Sequence, residues 1–221
     1  MKNSSWHCEA GKLKLPHFSF TPRIGVLALQ GAVEKHLQML ARLEIPAVPV
    51  KYKEELKSVH ALIIPGGEST TIGKLLMRFK LFHPIQKRIS QGMPVFGTCA
   101  GMILLAKNII GFTQPSFKLL DITIDRNAYG PQIESFEADI QLSVTGEKPF
   151  RAVFIRAPII REISPRIEVL GSFEGNPVLI RQDNIMACTF HPELTDDERL
   201  HRYFAYHLVS ECIKEGCYQK N

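Results

Sequence analysis

Short unbroken apolar runs alternate along this chain with segments whose apolar residues recur every three or four positions. Ile24-Gly25-Val26-Leu27-Ala28-Leu29 is such a run, of the kind that forms a strand buried on both faces. Val33, Leu37, Leu40 and Leu43 follow at helical spacing and predict a helix over about 33–43. Residues 47–52 and 61–64 read as the second and third strands, the latter ending at Pro65-Gly66-Gly67. Ser69 or Thr70 is placed to cap a helix running through Leu75 and Leu76. Further helix is predicted around 84–91, then a strand over 93–96 and a helix over 102–107. Strands and helices in this alternation predict an α/β fold, with a mostly parallel sheet covered by helices on both faces.

The pattern changes beyond that point. Residues 119–124, 136–144, 152–155, 167–171, 178–181 and 185–190 are strand-like with short connections, which predicts a mixed or antiparallel section. A helix over about 196–214 closes the chain, and Thr195 with Glu198 fits a capping box at its start. Residues 1–22 lack periodicity and are interrupted by Pro16 and Pro22. They are expected to be a flexible extension, with one domain over 23–221.

Composition narrows the class of protein. With 45% hydrophobic and 22% charged residues, the chain is that of an ordinary globular protein. No apolar stretch has the length of a membrane span, and the N-terminus lacks the apolar core of a signal peptide, so a cytoplasmic location is expected. The net charge is +5, but Lys2, Lys12, Lys14 and Arg23 against Glu9 leave residues 1–23 at +3 and the remainder at +2. More than half of the excess falls in residues 1–23 rather than on a basic face of the domain, which argues against nucleic acid as a partner. Cys8, Cys99, Cys188, Cys212 and Cys217 are odd in number and lack metal-ligand spacing, so neither a disulfide framework nor a metal site is expected. Cys188, inside an apolar run, reads as a small core residue.

Cys99 is different. It stands in Gly97-Thr98-Cys99-Ala100-Gly101, between a predicted strand and a predicted helix. That is the cysteine analogue of the nucleophile elbow, in which a sharp turn between small residues exposes the reactive atom. A thiol at a helix start is favoured as the thiolate, the nucleophilic form. Far downstream, Phe190-His191-Pro192-Glu193 offers a base and a carboxylate to orient it, two residues apart and on one side if the chain is extended. Cys99 is the candidate nucleophile, His191 the general base and acid, and Glu193 the orienting group. The N–H of Ala100 is one candidate donor to an oxyanion, and the Gly66-Gly67 turn the other. Gln30 lies at the end of the first strand, where open α/β sheets place ligand sites.

Gly97-Thr98-Cys99-Ala100-Gly101 with His191-Pro192-Glu193 resembles the triad class of glutamine amidotransferases. The segments beginning Gly25-Val26-Leu27, Pro65-Gly66-Gly67-Glu68-Ser69-Thr70-Thr71, Arg126-Asn127-Ala128-Tyr129-Gly130, Ser135-Phe136-Glu137, Phe154-Ile155-Arg156-Ala157-Pro158 and Thr189-Phe190-His191 sharpen that resemblance. Together they are similar to the glutaminase subunits of pyridoxal 5′-phosphate synthase, from about residue 24 to the C-terminus. The resemblance implies a three-layer, flavodoxin-like fold. It implies hydrolysis of L-glutamine to glutamate and ammonia, with no cofactor, and delivery of the ammonia to a separate (β/α)₈ synthase subunit. It also places glutamine-binding roles on Gly67, Glu68, Ser69, Arg126, Ile155 and Arg156, and gives Gln30 a part in organising the oxyanion hole. Either arginine suits the α-carboxylate of the substrate through paired N–H donors. Two features depart from the family: the extension containing Trp6 and Cys8, and Pro131 where an arginine is common. An amidotransferase serving another acceptor pathway and a noncatalytic protein of the same fold are the alternatives. The intact Cys, His and Glu set weighs against the second.

Overall fold

The computed structural model describes residues 21–126 and 135–214. Residues 1–20, Pro131, Cys217 and all of the Arg126 to Gly130 motif except Arg126 itself lie outside the described residues. In chain order the elements are β1 (Ile24–Leu27), α1 (Val33–Arg42), β2 (Ala47–Val50), α2 (Lys53–Ser58), β3 (Ala61–Ile64), α3 (Ser69–Arg78), α4 (Phe82–Ser90) and β4 (Val95–Thr98). Then come α5 (Ala100–Leu105), β5 (Ala106–Ile109), β6 (Leu120–Asp125), β7 (Ser135–Ile140), β8 (Phe150–Ile155), β9 (Ile159–Ile163), β10 (Glu168–Phe173), β11 (Asn176–Gln182) and β12 (Ile185–Cys188). A 3₁₀ turn (Pro192–Leu194), α6 (Arg199–Tyr203), a π-helical segment (Phe204–Leu208) and α7 (Val209–Lys214) complete the chain.

The central sheet has seven strands in the order β10-β11-β12-β4-β3-β1-β2. From β12 to β2 all neighbours are parallel, and β10 and β11 extend the sheet antiparallel at one edge. Its inner strands β1, β3, β4 and β12 are buried throughout because helices cover both faces. Ile24, Val26, Ile63 and Phe96 point to a cluster with Leu40 of α1 and with Leu200, Phe204 and Leu208 of the C-terminal helical segment. Leu62, Ile64 and Val95 point the other way, to Ile72 and Leu76 of α3, Ile85 and Ile89 of α4, and Met102 of α5. Alternate residues of one strand thus feed opposite cores, which is why these runs are apolar throughout. The α/β class, the mostly parallel sheet and the mixed section are as expected. β5, β6 and β9 form a separate three-stranded sheet, and β7 pairs with β8 in a ribbon.

Several local expectations are corrected. Helix α3 is capped by Glu68, whose side chain accepts the N–H groups of Thr70 and Thr71, rather than by Ser69 or Thr70. A carboxylate reaches two orphan donors where a hydroxyl would reach one. Helix α5 ends at Leu105, and Lys107 belongs to β5, whose partner β6 captures the backbone. Thr195 and Glu198 do not form a capping box. Thr195 Oγ1 instead accepts the Asp197 N–H, and Asp197 accepts the Arg199 N–H that opens α6. The 196–214 helix is shortened at its start and interrupted by the π segment. The strands around Cys99 and His191 nevertheless end side by side, with Cys188 in register with Thr98.

Candidate active site

The site lies at the carboxyl ends of β1, β3, β4 and β12, where a parallel sheet leaves a crevice. Cys99 follows β4 directly, with φ 47° and ψ −102°. A side chain rarely adopts that conformation, and holding it costs on the order of 1–3 kcal/mol. The turn is fixed on both sides: the Cys99 N–H donates to the Cys188 carbonyl at 2.9 Å, and the Cys99 carbonyl accepts the Ile103 N–H at 3.2 Å. Gly101 packs against the Ile64 carbonyl so closely that a Cβ would collide with it. The strained elbow is therefore built by close approach of β3 to the start of α5. Cys188 sits one strand away, fully buried, and burial pushes its thiol well above the ordinary range. It is a core residue, as its apolar run predicts.

His191 is 8% exposed, and its Nδ1 lies 2.7 Å from Glu193 Oε1. Sequence reasoning placed this pair on extended chain. The pair forms instead across the 3₁₀ turn Pro192–Leu194, which brings the carboxylate back toward the ring. Burial by itself would lower the His191 pKa. Hydrogen bonds and charge from Cys99 and Glu193 override it and raise the value to about 10. Burial would likewise raise Glu193, but His36 and His191 hold it below its ordinary range. Gly66 faces the imidazole, where any Cβ would strike the ring carbon between its nitrogens. That glycine lets the turn after β3 approach the base.

The loop after β3 is pinned at two amides, one on each side of Gly67. The Gly66 N–H donates to Thr98 Oγ1 at 3.0 Å, and the Glu68 N–H donates to Gln30 Oε1 at 2.8 Å. The peptide of Gly67 is held between these two anchors. Glu68 bonds the start of α3 and pairs with Arg126 Nη2 at 3.2 Å. Burial opposes ionisation of Glu68, but the hydrogen bonds from Thr71 and Thr70 together outweigh it and lower its pKa to about 2. Arg126 Nη1 also donates to Thr70 Oγ1 at 3.0 Å and to Gln114 Oε1 at 2.7 Å, and Ser69 donates to the same Gln114 oxygen at 3.0 Å. The guanidinium carbon lies 4.3 Å from the centre of the Phe112 ring. Ile155 closes another side: the Cys99 thiol is directed at its carbonyl at 3.8 Å. Arg156 follows at once, with φ 42°.

Gln30, Gly67, Glu68, Ser69 and Arg126 are thus joined through the turn after β3, and Cys99 meets Ile155 and His191 meets Glu193 beside that turn, with Ala100 next in chain to Cys99 and Arg156 to Ile155. Thr70, Thr98, Phe112 and Gln114 belong to the same network and were missed. Thr70 and Thr98 lie within motifs whose neighbours draw the attention, and Gln114 and Phe112 lie in a stretch with no periodicity to flag them. His36 is also part of it, buried beside Glu193, with His201 buried behind it.

Fold and side-chain arrangement together define the class I glutamine amidotransferases. Within that class, the chain belongs to the SNO glutamine amidotransferase family, whose model matches residues 26–210. A relative from Pelotomaculum thermopropionicum, named pyridoxal 5′-phosphate synthase subunit PdxT, is 54% identical over 194 residues, covering 88% of this chain and 97% of the relative. A protein of the same name from Thermotoga maritima is 50% identical over 182 residues, covering 82% of this chain and 97% of its own. A crystal structure described as a glutamine amidotransferase superposes with a TM-score of 0.80 at 48% identity, covering 85% of this chain and 98% of that one. A crystal structure of another glutamine amidotransferase, from Thermotoga maritima, shares the fold, with a TM-score of 0.57 at 13% identity over 91% of this chain and 87% of that one.

Proposed function

We propose that this protein is the glutaminase half of a pyridoxal 5′-phosphate synthase. It hydrolyses L-glutamine to glutamate and ammonia and hands the ammonia to a (β/α)₈ synthase subunit in a cytoplasmic complex. The observation that carries the chemistry is the His191–Glu193 bond of 2.7 Å, with the strained Cys99 among the groups that raise the His191 pKa. Cys99 Sγ attacks the side-chain amide carbon of glutamine, and His191 holds the proton that leaves the thiol. The tetrahedral oxyanion is met by the N–H groups of Ala100 and Gly67, the latter oriented by Gln30 through the next amide. His191 then protonates the departing nitrogen, ammonia leaves, and a γ-glutamyl thioester remains on Cys99. Water, deprotonated by His191, attacks the thioester and releases glutamate. Glu193 stabilises the imidazolium in both halves of the cycle.

Substrate recognition follows from the groups around Cys99. Arg126, oriented by Glu68, Thr70 and Gln114, holds the α-carboxylate. Ser69 and Glu68 line the same side, and Ile155 with Arg156 flanks the other. The two relatives named as PdxT, each at least 50% identical over most of the chain, support the synthase as the destination of the ammonia.

The deciding experiment is glutamate release from L-glutamine with and without the cognate synthase subunit. Strong stimulation by the subunit is expected. Full activity alone, unchanged by the partner, would keep the hydrolysis and overturn the partnership. No release in either condition, from folded protein with a competent partner, would overturn the hydrolysis.

A further inference from the structure

Behind the His191–Glu193 pair lies a buried polar chain that the mechanism above does not use. His36 on α1 and His201 on α6 are both completely buried. His36 Nδ1 lies 2.9 Å from His201 Nε2, and His36 Nε2 lies 3.3 Å from Thr98 Oγ1 and 3.5 Å from Glu193 Oε2. Glu193 uses Oε1 for His191. Its other oxygen, Oε2, is buried without a hydrogen bond among the described residues, as is His201 Nδ1. A buried carboxylate oxygen left without a donor is costly, on the order of 1–3 kcal/mol or more.

The pattern of donors fixes the tautomers. Glu193 Oε2 can only accept, so the nitrogen that faces it must carry a proton to satisfy it. Thr98 Oγ1 already accepts the Gly66 N–H and retains a lone pair for a second donor. Both neighbours of His36 Nε2 are therefore served by an Nε2–H. A neutral ring protonated there leaves Nδ1 bare, and Nδ1 then accepts from His201 Nε2–H. The remaining nitrogen of His201, Nδ1, becomes an unprotonated acceptor. That is a milder orphan than an N–H with nowhere to donate.

We infer that His36 is a positioning residue for glutamine hydrolysis: as the neutral Nε2–H tautomer, set by His201, it orients Glu193 through Oε2 while Thr98 links it to the Gly66 turn. This inference rests on the glutaminase reading of Cys99, His191 and Glu193. Closing the 3.5 Å gap by about 0.5 Å makes the contact a normal charge-assisted hydrogen bond. Burial lowers the pKa of His36, Glu193 acts against that and His191 adds to it; burial and then His36 lower that of His201. Both rings are accordingly neutral, as the tautomer chain requires. Because Thr98 binds both His36 and the Gly66 amide, the same device ties the orienting carboxylate to the loop that carries Gly67.

The test has two arms. In the first, the ring nitrogens of the full-length protein, labelled with ¹⁵N, are observed by NMR at neutral pH without a partner, and His36 is assigned by its absence in His36→Gln. The expected result is a neutral Nε2–H ring at both His36 and His201; a protonated Nδ1 on His36, or a charged ring, overturns the inference. This arm reads the tautomer whether or not the protein hydrolyses glutamine, so it separates failure of the inference from failure of the functional reading. In the second, His36→Leu and His36→Gln are assayed with the synthase subunit present. His36→Leu is expected to lower kcat by about tenfold or more with little change in KM. His36→Gln, whose amide N–H falls near the position of Nε2–H, is expected to recover most of the loss. Unchanged kcat in folded His36→Leu, or equal loss in both variants, overturns the inference.

Discussion

Gln30 and Glu68 are joined beyond the carboxyl ends of β1 and β3, the side-chain carbonyl of Gln30 accepting the Glu68 N–H at 2.8 Å. One hydrogen bond thereby fastens the segment after β1 to the turn after β3. Glu68 also caps α3, so the peptide of Gly67 has little freedom left. Gln30→Met, which keeps the length and removes the acceptor, is expected to reduce kcat by about tenfold or more, because the Gly67 amide loses its aim. Melting temperature should change little. A steady-state assay with unchanged kcat would show that the loop holds itself.

Cys99→Ala removes the proposed attacking atom and keeps the backbone. Glutamate release should fall to background, while circular dichroism and thermal melting stay close to those of the parent. The Ala Cβ occupies the same strained position as the Cys Cβ, so the strain of φ 47° is retained and no large stabilisation is expected. Substantial turnover in this variant would place the nucleophile elsewhere.

Arg126→Lys preserves charge but loses the planar fork that reaches Thr70, Gln114 and Glu68 together. The expected effect is a rise in KM for glutamine of about tenfold with a smaller change in kcat. If KM is unmoved by this variant and raised by Arg156→Lys, the α-carboxylate belongs to Arg156.

The pH dependence of stability reports the state of His191. Its pKa in the folded protein, about 10, lies above the ordinary 6.5. The stabilisation it provides is therefore complete below pH 6.5 and disappears as the pH rises through about 10. His191→Gln cannot ionise. The gap in melting temperature between parent and variant should be widest at and below pH 6.5 and shrink as the pH rises through about 10; parallel curves would show that the ring is not charged in the fold.

Much of this was legible in the residue pattern, for a physical reason. Ile24–Leu27, Ala61–Ile64 and Val95–Thr98 are buried on both faces, so their apolar runs are unbroken and their ends are marked by glycine or by the elbow. The catalytic candidates were legible because a reactive group needs small neighbours and a fixed spacing. β5 was not, since Ala106–Ile109 continues a helical pattern and becomes a strand only because β6 is there to pair with it. Helix α2 is too polar to announce itself, and is opened by the Tyr52 N–H bonded to Glu55 at 2.7 Å. His36 shares the buried face of α1 with Leu40, where a lone histidine looks like any other core residue. Its partners, Thr98, Glu193 and His201, are distant in sequence and meet only through the sheet.

The strand seam between β4 and β12 has a consequence for control. Cys99 is anchored to Cys188 across it, and His191 with Glu193 leaves the end of β12 as one short turn. The proposed nucleophile, base and orienting carboxylate therefore ride on two adjacent, hydrogen-bonded staves of a single stiff frame. Such a frame has no easy way to pull its own parts out of alignment. The parts that approach this frame from outside it are the Gly66 to Ser69 turn and the Ile155 carbonyl facing the thiol, each brought in by a different stretch of chain.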